Sequence, residues 1–122
     1  MIDVNAIKKD WLISYVNLRD DISRREHDLV LSSNDNDCFR SEDIYTKKAE
    51  LSSLKQTLST QTDILLSMVA NQDFVHRKII EYYYVRNLKL QTIATMLGYS
   101  MSYTKTMKRN AIESLDARYI DV

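Results

Sequence analysis

Apolar residues first recur at helical spacing from about Val4 to Leu31, where Ile7, Trp11, Leu18, Ile22 and Leu29 follow one another in steps of four and seven. Such steps keep all five on one face, so the pattern predicts a first helix whose apolar face needs a partner. Ser32, Ser33, Asn34, Asp35, Asn36 and Asp37 come next, and their short polar side chains compete for backbone hydrogen bonds, which favours an exposed loop. A second helix is predicted from Ser41, a residue suited to capping it. Within it Ile44, Leu51, Leu58 and Leu65 recur every seventh residue, Leu54 and Met68 fill intervening positions, and Lys47 and Gln61 interrupt the seam. The expectation for residues 1–70 is an antiparallel, coiled-coil-like hairpin whose seam also leaves room for a homodimer.

From Asn71 the pattern changes to shorter periods. One helix is predicted from about Gln72 to Arg86, with Val75, Ile79, Ile80 and Tyr83 inward. Others are predicted from about Leu90 to Leu97 and from about Met101 to Arg118, separated by brief breaks at Asn87-Leu88-Lys89 and Gly98-Tyr99-Ser100. Tyr82, Tyr83 and Tyr84 must point in three directions on a helix, so at least one ring is expected to face solvent.

Composition supports an all-α chain: proline is absent, glycine occurs once, and 44% hydrophobic content over 122 residues fills one modest core or two small ones. Cys38 has no second cysteine to pair with, and no apolar run approaches the ~20 residues of a membrane span, so a cytoplasmic protein without a membrane role is expected. The formal net charge of zero hides an asymmetry. Residues 1–70 carry 9 bases against 12 acids, whereas residues 71–122 carry 8 against 5. Between His76 and Asn110 the seven bases Arg77, Lys78, Arg86, Lys89, Lys105, Lys108 and Arg109 face Glu81 alone, a net of +6 where a polyanion would dock.

Catalytic and metal chemistry find little footing. Asp35, Asn36, Asp37, Glu42 and Asp43 lack the central glycine of a calcium loop, and His27, Cys38 and His76 are too scattered for a zinc site. No nucleophile and base fall in a recognisable order, and no glycine-rich phosphate loop occurs. The chain is therefore expected to be no enzyme and to need no cofactor.

The lone glycine is better placed. Gly98 follows Ile93-Ala94-Thr95-Met96-Leu97, where a helix C-terminus favours a residue tolerant of positive φ, and Ser100 stands at the N-cap position of the next helix. A turn of about three residues lets two helices cross at a wide angle, and Ala94 is small where they must approach. These features predict a helix-turn-helix over residues 71–122.

The stretch from Arg77 to Leu115, with its Ile93-Ala94, Leu97-Gly98 turn and basic helix ending in Ala111-x-x-x-Leu115, resembles region four of bacterial sigma factors. In size and in its helical N-terminal half, the whole chain looks like the sigma-like phage regulators of the ArpU and RinA type. That resemblance implies a phage or prophage transcriptional regulator that binds duplex DNA, with RNA polymerase as a partner left open. It places Thr104, Met107, Ala111 and Leu115 inward and turns Met101, Ser102, Lys105, Thr106 and Arg109 toward the major groove, where lysine and arginine suit guanine and Ser or Thr suit several bases. Tyr103, Lys108 and Asn110 fall nearer the phosphates or flanking contacts.

The chain departs from the family at Thr104, where Ile or Val is usual, and at Lys89, where Ser or Thr commonly caps; both are expected to weaken local stability. Gln91 and Thr92 replace an acidic pair, so no acidic partner surface carries over. Two rivals remain: a small-terminase-like DNA-packaging protein, and a helical interaction protein that has lost DNA binding.

Overall fold

The computed structural model describes residues 3–34 and 41–120, and among these helices are the only regular elements, so the chain is all-α. The elements are α1 (Val4–Asn34), α2 (Ser41–Val69), α3 (Phe74–Ile80), α4 (Leu90–Leu97) and α5 (Met101–Glu113). A π-helical turn, Glu81–Val85, continues α3, and a 3-10 turn, Ala117–Tyr119, follows α5. The α1 helix runs on through Ser32, Ser33 and Asn34, which were expected in the loop. These residues are only mildly unfavourable to helix, and neither glycine nor proline stands there to stop it. Asp35, Asn36, Asp37 and Cys38 lie outside the described residues. Ser41 is the first helical residue of α2.

Two compact units are present: Ser14–Gln61, and Met1–Ile13 together with Thr62–Val122. Where the pattern drew a boundary at residue 70, the second unit also takes in the opening turns of α1 and the closing turns of α2.

Within Ser14–Gln61, Tyr15, Ile22 and Leu51 are buried and Leu18, Leu29, Ile44, Leu54 and Leu58 are half-buried. Arg25 meets Glu50 at 3.5 Å and Lys55 meets Glu26 at 2.6 Å, joining the later part of α1 to α2 as a hairpin requires. Along α1, Asp21 accepts from Arg24 at 2.6 Å and from Arg25 at 3.2 Å, bonds that hold its carboxyl below the usual range.

The second unit buries Leu12, Leu65, Met68, Val69, Ile79, Ile80, Tyr84, Ile93, Ala94, Ala111, Leu115 and Ile120. Each large side chain so enclosed contributes roughly 1.5–3 kcal/mol. Three long-range bonds secure the end of α5. The Lys8 ammonium donates to the Glu113 carbonyl at 2.6 Å, Gln72 Nε2 donates to the Ala111 carbonyl at 2.8 Å, and the Asp116 N–H donates to the Met68 carbonyl at 3.2 Å. Asp116 is also gripped by Arg118, whose hydrogen bonds pull its carboxyl down to about 2.

Lys8 changes the reading of α1. Its deepest positions are Lys8, Leu12, Tyr15 and Ile22, whereas the expected Ile7, Trp11 and Leu18 are half-buried. The lysine stem packs as apolar surface while its charge reaches a helix C-terminus, where the dipole favours a cation.

The expected Gln72–Arg86 helix is shorter and ends in the π turn. There Tyr84 takes the buried position instead of Tyr83, and Tyr82 and Tyr83 are half-buried, so none of the three rings stands fully in solvent. Cations cover them: Arg86 lies 5.4 Å and Lys78 5.8 Å from the Tyr82 ring centre.

Candidate nucleic-acid interface

The α4–α5 pair is shaped by local chemistry at its turn. Ile93 and Ala94 are buried, so α4 seats on its apolar side. Gly98 then adopts φ 76°, its N–H donates to the Thr95 carbonyl at 3.3 Å, and the Tyr99 N–H donates to the Ala94 carbonyl at 2.9 Å. This pair of bonds is the Schellman closure of a helix. A Cβ at Gly98 would meet nothing within 4 Å, so glycine is favoured there by the backbone angle and not by crowding. Ser100 opens α5 by accepting the Tyr103 N–H on its hydroxyl at 3.1 Å, as an N-cap does.

Of the two departures noted above, Lys89 makes no side-chain cap to α4. Thr104 is fully buried, yet its hydroxyl donates to the Ser100 carbonyl at 2.7 Å. A buried polar group that keeps its hydrogen bond avoids the desolvation cost expected of an orphan. With Thr104, Ala111 and Leu115 buried and Met107 half-buried, the inward face of the motif is the one the resemblance implied.

The opposite face is open. Ser102, Lys105, Thr106 and Arg109 are all exposed, and their i, i+3, i+4, i+7 spacing makes a single stripe with exposed Met101 at its rim. Neither Lys105 nor Arg109 has an ion pair among the described residues. Nearby, Lys78 meets Glu81 at 3.5 Å, which partly neutralises the basic window.

The flanking candidates are more constrained. Tyr103 is exposed but packs edge-on against Tyr99, with ring centres 4.9 Å apart. Lys108 is half-buried, its ammonium 3.9 Å from the Tyr83 ring centre, a cation–π contact that fixes the charge beside the π turn. Asn110 is half-buried as well. The Thr106 hydroxyl, expected to meet bases, donates to the Ser102 carbonyl at 3.1 Å.

Sequence reasoning passed over Lys8, Tyr83 as the seat of Lys108, and the Tyr99–Tyr103 pair. Only the last carried a local signal, two aromatic residues four apart at the start of a helix. Among the described residues no three His, Cys, Asp or Glu side chains gather as a metal site would need, and no helix is long and apolar enough to cross a membrane. No family model, curated protein or solved structure matches the chain.

Proposed function

We propose that the chain is a sequence-specific DNA-binding transcriptional regulator that inserts α5 into the major groove of a promoter. The observation that supports this reading is the stripe of Ser102, Lys105, Thr106 and Arg109, exposed along a helix whose other face is packed, with both cations unpaired among the described residues. An α-helix fits the major groove, and its N-terminal half meets base edges there. In this mechanism Lys105 and Arg109 address guanine, Ser102 accepts or donates to a base, and Lys108 and Lys89 act as charges near phosphate. Phosphate contacts set register and affinity, and base contacts choose the site.

The phage or prophage setting and an RNA polymerase contact belong to the same proposal and rest on the resemblance of Arg77–Leu115 to sigma region four. A homodimer through the hairpin would present two such helices to half-sites spaced by whole turns of duplex.

Selection of bound fragments from a random duplex library by the purified protein tests the reading, with solution mass measured in parallel. A recurring short motif, bound with affinity that falls steeply with salt, is the expected result. Retention of all sequences alike would remove the regulator reading, and a ring-sized mass would favour the packaging alternative.

A further inference from the structure

Resting on that reading, we infer that the exposed face of α5 recognises thymine through its 5-methyl group, with Thr106 as the principal contact and Met101 as the second. The Thr106 hydroxyl has one hydrogen, and it is given to the Ser102 carbonyl at 3.1 Å. What the exposed side chain retains for a partner is its γ-methyl and the acceptor capacity of the oxygen. Met101, 38% exposed at the first position of the same helix, offers an unbranched apolar chain. Of the groups that line the major groove, the thymine 5-methyl is the apolar one.

The other members of the stripe complete the pattern. Lys105 lies between Met101 and Thr106 in sequence, and Arg109 follows one turn on. Their cationic donors suit the paired acceptors of guanine. Met101 and Thr106 are five positions apart, about 140° around a helix of 3.6 residues per turn, so they stand at the two edges of the stripe. The preferred element therefore holds a thymine for each edge, accompanied by guanine. Tyr103, turned against Tyr99, takes no part in this contact.

The test remakes a selected duplex with deoxyuridine in place of each thymidine in turn, which removes the methyl and leaves base pairing intact. At one position affinity should fall about fourfold, the equivalent of about 0.8 kcal/mol for one methyl. Thr106→Ser, which deletes the protein methyl and keeps the hydroxyl for Ser102, should lower affinity for the thymine duplex by a similar factor. The two changes together should cost no more than either alone. Met101→Ala should behave in the same way toward the second thymine. Selected motifs without thymine, indifference to deoxyuridine, or losses that multiply between Thr106→Ser and every deoxyuridine position would overturn the assignment while leaving DNA binding standing. Failure to select any motif would overturn both.

Discussion

The hairpin of residues 14–61 and the unit that carries α4 and α5 use their cations differently. In the hairpin, Arg24 sits on Asp21, Arg25 on Asp21 and Glu50, and Lys55 on Glu26. On the outer stripe of α5, Lys105 and Arg109 have no carboxylate within ion-pair distance among the described residues. Exposed ion pairs contribute only about 0–1 kcal/mol each, so the hairpin pairs matter more for the field they cancel than for stability. A paired cation must leave its carboxylate before it can serve a polyanion, whereas an unpaired one keeps its full attraction. A net charge of zero over the chain therefore says little about where an anionic partner can bind.

The largest effect expected from this contrast comes from Lys105→Ala with Arg109→Ala. Removing the two proposed base contacts, each worth about 1–3 kcal/mol of discrimination, should weaken binding to the selected site about a hundredfold in fluorescence anisotropy. Thermal stability should stay within about 0.5 kcal/mol, as for other exposed substitutions. Unchanged affinity would show that unpaired charge on this stripe is not what binds.

A second test separates a cation used internally from both classes. Lys8→Met keeps the buried stem and removes the donor to the Glu113 carbonyl, which should cost about 1–3 kcal/mol of stability in urea denaturation. A loss under about 0.5 kcal/mol would mean that water serves the carbonyl equally well.

The smallest effect belongs to the hairpin. A double-mutant cycle on Lys55→Ala and Glu26→Ala should return a coupling of about 0.5 kcal/mol at low salt that vanishes in 1 M salt. DNA affinity should not move. A change in affinity as large as that of the α5 variants would erase the distinction between the two regions.

The motif was legible where its structure depends on neighbours in sequence. The limits of α4, the left-handed Gly98 and the Ser100 cap all follow from residues within a few positions of the backbone groups they serve. The expected α5 to Arg118 stops at Glu113 because its last carbonyls are met from elsewhere, by Lys8 and Gln72. The π turn, which exchanges Tyr83 for Tyr84 at the buried position, is likewise invisible to a regular helical period. On the candidate site, the outward stripe was implied by the family resemblance, but the hydrogen of Thr106 and the ring beneath Lys108 were not. A rotamer choice and a contact across 25 positions leave no mark on spacing.

The bond from Lys8 to Glu113 joins residues 105 positions apart. It makes the helix-turn-helix a poor cassette for transplantation, because a graft cut at Asn71 would leave behind both the lysine that caps its final turn and the Met68 carbonyl that receives Asp116. A portable version would have to splice the opening turns of the polypeptide onto the excised piece, by circular permutation or by co-expressing them as a complementing peptide.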